Sequence, residues 1–149
     1  MIQYTTGLAT YSDIRTHLEA CKNNFIPPLQ DTVDIDSYAQ KIKSKSITFE
    51  AWQNGHLAGL IAAYFNDPGK EVGFITNVSV ENGFAGKGIA SNLLNNAVRY
   101  AQENEFNEIR LKVHSRNALA IRLYKKHAFT QFGTEDDFQL YRLPVNLQN

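Results

Sequence analysis

A short β-branched segment, Val78-Ser79-Val80, runs into Ala85-Gly86-Lys87-Gly88-Ile89-Ala90-Ser91, and apolar residues then recur at helical spacing as far as Ala101. Strand, glycine-rich turn and amphipathic helix in direct succession commit this stretch to an α/β arrangement. Glycines at 86 and 88 keep side chains out of the turn, so successive N–H groups can face one hollow. The start of the helix adds unpaired amides and the positive end of its dipole. The result is a place for a phosphate built mostly from main chain. The same pattern also serves as plain punctuation between elements. It contains neither G-x-x-x-x-G-K-[ST] nor G-x-G-x-x-G, so it is neither a P-loop nor a dinucleotide fingerprint.

The remaining chain reads as alternating strands and helices. Ile2 to Tyr4 is a short first strand, and Thr10, Ser12 and Asp13 offer an N-cap for a helix to about Asn23, with Ile14, Leu18 and Cys21 on one face. Phe25-Ile26-Pro27-Pro28-Leu29 breaks helical order. A short helix from about Asp36 to Lys43 follows. Asn54-Gly55 between apolar runs at 47–53 and 57–65 predicts a hairpin, and 71–80 extends it to a three-strand meander. After the glycine turn the helix runs to about Glu103, with Ile89, Leu93, Leu94, Ala97 and Ala101 inward. Residues 109–114 form a strand reached by a crossover, hence parallel to its predecessor. Asn117 caps a helix to about Lys126, and strands at 129–132 and 138–143 close around 133–136. This order predicts a mixed, mostly antiparallel sheet of about seven strands with helices on both faces.

A second block lies about thirty residues after the first: Asn117-Ala118-Leu119-Ala120-Ile121-Arg122-Leu123-Tyr124-Lys125-Lys126-His127-Ala128-Phe129. The two blocks together resemble the GNAT N-acetyltransferase superfamily. Its acetyl-CoA loop reads roughly R/Q-x-x-G-x-G/A, matched by Gly88 and Ala90. Its later signature reads roughly N-x-x-A-x-x-L-Y-x-K-x-G-F, matched by Asn117, Ala120, Leu123, Tyr124, Lys126 and Phe129. The resemblance covers residues 47 to 132. Two departures stand out: Ala85 replaces an Arg or Gln, and Ala128 replaces a Gly. Without a side-chain donor at 85 the pyrophosphate loses one charge-assisted bond, and Lys87 is placed to compensate or simply to sit in solvent.

The resemblance implies direct transfer of an acetyl group from acetyl-CoA to a primary amine, with no covalent enzyme intermediate. It implies that the strands ending near Val80 and His114 splay apart around the cofactor arm. Backbone groups of Val78, Ser79 and Val80, the loop from Ala85 through Gly86, Lys87, Gly88, Ile89 and Ala90 to Ser91, and Asn117, Ala120, Tyr124 and Lys126 are then the cofactor-binding set. Tyr124 is the expected proton donor to the departing sulfur, although it also suits plain packing beside Leu123. Strand alternation puts Asn77 and Ser79 on one face, opposite Thr76, Val78 and Val80. For the base, Glu71 and His114 are both candidates, with ordered water a third. Phe25, Tyr38 and Asn77 are candidate acceptor contacts, and the aromatic-rich N-terminal half suits the apolar face of an amino sugar.

Composition narrows the rest. The 149 residues, with 43% hydrophobic and 20% charged residues, suit one globular domain spanning 1–149. Fifteen basic residues balance fifteen acidic ones, which argues against a nucleic-acid partner bound through a general basic field. The one cysteine, Cys21, makes neither an internal disulfide nor a metal site, so no metal is expected. No signal-peptide pattern or membrane-length apolar run is seen, and the expectation is a cytoplasmic protein. Homodimers are common in the resembled superfamily, which leaves a homodimer open. The competing readings are a non-catalytic acyl-CoA sensor domain, favoured by Ala85, and a peptide- or RNA-directed acetyltransferase.

Overall fold

The computed structural model describes residues 1–146. Its sheet grows outward from the Asn54-Gly55 turn. Both residues have positive φ, 52° and 78°, which is the twist that joins strands through a two-residue hairpin. The turn links β2 (Ile47–Gln53) to β3 (His56–Tyr64), and β1 (Gln3–Thr6) pairs on the outer edge of β2. The next turn is held by Asp67, whose carboxylate accepts the amides of Gly69, Glu71 and Val72 and so launches β4 (Val72–Val80). β5 (Glu108–His114), β6 (Thr130–Glu135) and β7 (Phe138–Pro144) complete seven strands in the order β1-β2-β3-β4-β5-β7-β6. Only β4 and β5 run parallel among these pairs. The mixed, mostly antiparallel sheet expected from sequence is thus observed.

Helices cover both faces. On one side lie α1 (Tyr11–Cys21) and α2 (Ile35–Lys45), which bury Ile14, Leu18, Ala39 and Ile42 against Leu60 and Ala62. On the other lies α3 (Ile89–Glu103), whose inward residues are the five expected from their spacing. α4 (Ala118–Lys126) follows β5. Glu50 is fully buried, yet its carboxylate accepts from the hydroxyls of Thr5 and Thr48 and the amides of Leu8 and Ala9. That set satisfies the charge and marks Glu50 as an anchor for the β1–α1 link.

β4 departs from regular pairing in two places. It pairs with β5 only from Val72↔Glu108 to Phe74↔Arg110, while β5 continues along β7 to His114↔Phe138. Beyond Phe74 the parallel pair therefore parts, and one edge of β4 faces a gap. The second departure is a bulge. Asn77 sits opposite Ala62 but Ile75 opposite Ala63, which leaves Thr76 as an extra residue. Ile75 and Val78 consequently both face the α3 side. Strict alternation groups Thr76 with Val78 and Val80, and the structure corrects this. Thr76 meets Tyr38 of α2 through its hydroxyl and carbonyl, because the bulge reverses the pleat there.

The last hairpin also differs from expectation. Residues 133–135 belong to β6, and the turn is Asp136-Asp137, with Asp136 at φ 53°. Gly133 is absorbed by a register shift between Gln131 and Gly133 and does not make the turn. Ala128, where the resembled family carries glycine, lies at φ 69°. A left-handed L-residue costs about 1–2 kcal/mol, partly offset by the extra unfolded-chain entropy of glycine. Ala128→Gly is therefore expected to stabilise the protein by about 0.5–1 kcal/mol in urea denaturation. A destabilised variant would show that the methyl group contributes packing that outweighs the strain.

Candidate active site

Among the described residues, three of the four α-helices have side-chain caps: Thr10 on α1, Asp34 on α2 and Asn117 on α4. The fourth, α3, has none. Its N-cap is Gly88 at φ 75°, and its first turn carries no acidic residue. The amides of Phe84 and Ala85 are spent on the carbonyls of Glu81 and Asn82. Among the described residues, the next six amides, Gly86 through Ser91, meet no acceptor, and the first bond of the helix comes from Asn92 to Gly88. A Cβ built at Gly86 or Gly88 would meet nothing within 4 Å. A run of free amides at an uncapped helix start is an anion site made of main chain. It fits the diphosphate of coenzyme A.

Gly86, Gly88, Ile89, Ala90 and Ser91 form one wall of a cavity of about 520 Å³, lined also by Val78, Ser79, Val80, Asn117, Ala120 and Leu123. Ile89 is buried and anchors the turn to the core, while Ser91 shares a hydrogen bond of 3.1 Å with His127 Nε2. Lys87 is exposed, with Nζ 5.8 Å from the Phe84 ring centroid. Ala85 is exposed at the rim. A guanidinium there can reach a phosphate, so Ala85→Arg is expected to tighten coenzyme A binding by about three- to tenfold, the worth of one solvent-screened charged bond. Unchanged affinity in calorimetry would place the diphosphate elsewhere.

A second cavity of about 480 Å³ opens where β4 and β5 part, and Phe25, Val78, Asn117 and Ala120 line both. Tyr124 of α4 points its phenol into this region, 6% exposed, its ring tilted on Phe129 at 5.9 Å between centroids. Among the described residues nothing hydrogen-bonds its hydroxyl. Burial pushes its pKa well above that of an ordinary phenol, so the proton stays on. His114, buried at the end of β5, accepts the Arg116 amide on Nδ1 at 3.1 Å and sets its edge on Phe138. With Nδ1 accepting, the ring carries its proton on Nε2 and shows the cavity an N–H. Asn117 caps α4 by accepting the Ala120 amide at 3.2 Å.

The acceptor-side candidates take different places. Phe25 stands between the cavities. Tyr38 donates to the Thr76 carbonyl at 2.7 Å, and burial raises its pKa to about 12. It pins the bulge as well as lining the cavity. Asn77 lines the cavity with its Nδ2 on Ser79 Oγ at 2.9 Å. Three candidates line neither cavity: Lys87, exposed in the glycine turn, Glu71 and Lys126. Glu71 precedes β4 at the opposite end of that strand and accepts from Asn107 Nδ2 at 2.7 Å. Lys126 is exposed on the last turn of α4 and lines neither cavity. Sequence reasoning missed His17, which is buried behind β4 and bonded to Ser79. A histidine inside the apolar stripe Ile14, Leu18, Cys21 was the available signal. Among the described residues no cluster of His, Cys, Asp or Glu could hold a metal ion, and no helix is long and apolar enough to cross a membrane.

The model of the acetyltransferase (GNAT) family matches residues 11–129. Among curated proteins, N-acetylaspartate synthetase of Danio rerio is 28% identical over 110 residues, 74% of this chain and 38% of that protein. The chain spans about two fifths of the length of the curated relatives it matches. The solved ribosomal-protein-S18-alanine N-acetyltransferase from Escherichia coli has a TM-score of 0.79 at 18% identity, covering 100% of this chain and 97% of that one. PaiA N-acetyltransferase from Thermoplasma acidophilum, solved in complex with coenzyme A, has a TM-score of 0.76 at 16% identity, covering 97% and 99%. At these identities the two structures speak for the fold.

Proposed function

The chain belongs to the GNAT acetyltransferase family, whose members use acetyl-CoA, and from that premise we propose that it acetylates the primary amine of a small acceptor by direct attack. The observation that carries this reading is the free-amide run from Gly86 to Ser91, beside a cavity that shares Phe25, Val78, Asn117 and Ala120 with the one Tyr124 lines. Bound acetyl-CoA supplies an activated thioester. Past Phe74, the unpaired edge of β4 around Val78 offers backbone N–H groups to the carbonyl oxygen as charge gathers there. The amine nitrogen bonds to the acyl carbon and the carbon–sulfur bond breaks. Tyr124 gives the departing sulfur a hydrogen bond.

Cys21 takes no part. Burial raises its thiol to about 12, so it stays protonated among the residues of α1. Among the described residues the lining of the acceptor cavity includes no carboxylate, and His114 offers it an N–H. The acceptor therefore enters as the free amine, and the proton its nitrogen releases as the new bond forms passes to solvent at the mouth, where the departing thiolate also regains one.

The walls contributed by Phe25, Tyr38, Phe74 and Phe138 suit the apolar face of an amino sugar. A second reading has its own support. Lys112 is the charged residue of the lining and suits an amine that carries a carboxylate, in keeping with the name of the curated relatives. The test is free-thiol release from acetyl-CoA with glucosamine, aspartate, simple alkylamines and a short peptide, beside calorimetry with coenzyme A. Transfer to glucosamine above the rest supports the first reading, and to aspartate the second. Coenzyme A binding with no transfer to any amine would make this a sensor domain. No binding at all would remove the assignment.

A further inference from the structure

Behind the acceptor cavity lies a polar chain that the transfer reaction leaves unused. His17 is 1% exposed, with Nδ1 3.0 Å from the Leu57 carbonyl oxygen and Nε2 2.9 Å from Ser79 Oγ. Ser79 Oγ lies 2.9 Å from Asn77 Nδ2, and that nitrogen lies 3.3 Å from the Leu60 carbonyl oxygen. The directions are forced. A carbonyl oxygen can only accept, so His17 carries its proton on Nδ1 and its lone pair on Nε2. Ser79 then gives its single hydroxyl proton to Nε2 and accepts from Asn77. The Leu60 carbonyl requires the same orientation of Asn77 independently.

Both carboxamide protons of Asn77 are thereby committed. Among the described residues its Oδ1 is left with no hydrogen-bond partner, in a residue 2% exposed on the cavity wall. Orphaned buried acceptors are rare in native proteins, and a ligand donor is one of the few things that explains them. Asn77 lines the cavity directly after the bulge residue Thr76. Cys21 Sγ, 3.7 Å from Nε2, and Glu81 Oε2, 3.8 Å from Nδ1, complete the surroundings of the imidazole. Burial lowers the pKa of His17, so the lone pair persists at neutral pH.

We propose that His17 and Ser79 are positioning residues that hold the Asn77 carboxamide with its oxygen free, and that this oxygen receives an N–H of the incoming amine. The amine half of this proposal rests on the acetyl-transfer reading. A group with an N–H to give is what the site selects, which fits a primary amine.

The test compares Asn77→Leu, His17→Leu and His17→Gln. Glutamine can still present an oxygen to Ser79 and leucine cannot. Asn77→Leu and His17→Leu should each raise KM for the best amine about tenfold, the loss of one hydrogen bond, with coenzyme A affinity kept within about twofold. His17→Gln should restore most of that loss. Proton exchange at the Asn77 carboxamide, followed by NMR without any amine, should be slow in the natural sequence and in His17→Gln, and fast in His17→Leu. An unchanged amine KM in Asn77→Leu would overturn the proposal, as would fast carboxamide exchange in the natural sequence. Failure of the natural sequence to acetylate any amine would bring down the transfer reading and the amine half together. The exchange measurement would then still decide whether His17 orients Asn77.

Discussion

Replacing Tyr124 by phenylalanine is expected to lower kcat about a hundredfold, the lower end of what a positioned proton donor contributes. Acetyl-CoA affinity should stay within about twofold, since the lost group acts as charge develops on sulfur. The structure favours a clean experiment. The phenol hydroxyl has no partner among the described residues, so its removal strands no other group. The ring keeps its place against Phe129. At ordinary values a phenol near 10 and a thiol near 8.5 make full proton transfer uphill by about 2 kcal/mol. Burial raises the Tyr124 pKa further and so makes complete transfer costlier. Its contribution is accordingly a hydrogen bond that strengthens as the sulfur becomes anionic. A group whose pKa is raised stays in its donor form to higher pH, so kcat should show no alkaline fall caused by this residue. Steady-state kinetics with calorimetry check both points. Equal losses in kcat and in acetyl-CoA affinity would assign Tyr124 to packing.

Much of this architecture was legible because local chemistry and tertiary structure agree. Asn54-Gly55 can turn only one way between two apolar runs. The stripe of α3 has a helical period, and each of its five apolar residues is buried. The free-amide run was readable for a simpler reason: glycines precede a helix that has no Ser, Thr, Asp or Asn to cap it. What was not legible depends on pairing between distant strands. The bulge at Thr76 leaves only an ambiguous local signature, since the apolar pair Phe74-Ile75 and the polar pair Thr76-Asn77 interrupt the alternation without saying which residue is the extra one. It nonetheless decides that Asn77 faces α1 while Val78 faces α3. Gly133 misled in the opposite direction, because a glycine that relieves a register shift looks in sequence like one that makes a turn. Glu71 and His114 were both candidates on paper, and only the fold separates them by the length of β4. The His17 chain joins α1 to β4 across 62 positions, a distance that periodicity cannot span.

Gly88→Val is expected to weaken coenzyme A binding by more than about a hundredfold, since it disturbs at least two charge-assisted amide–phosphate bonds at about 1.5–3 kcal/mol each. Two effects are superposed in that variant, and they can be separated. The first is strain. Gly88 has φ 75°, a conformation costing an L-residue about 1–2 kcal/mol and a β-branched one more. The second is obstruction. Nothing lies within 4 Å of a Cβ at this position, so the new side chain meets no protein atom at its root and stands in the cavity where the diphosphate belongs. The chain should fold with a lowered melting temperature and an occluded cradle. Gly55 supplies the control: it has φ 78° and equally open space around its Cβ, in the β2–β3 turn away from the cavity. Gly55→Val should lose similar stability and keep its coenzyme A affinity. Thermal melts rank the strain, and calorimetry ranks the binding. If both variants bind coenzyme A as tightly as the natural sequence, the amides from Gly86 to Ser91 do not hold the diphosphate. If both lose binding in proportion to their lost stability, the effect is one of folding.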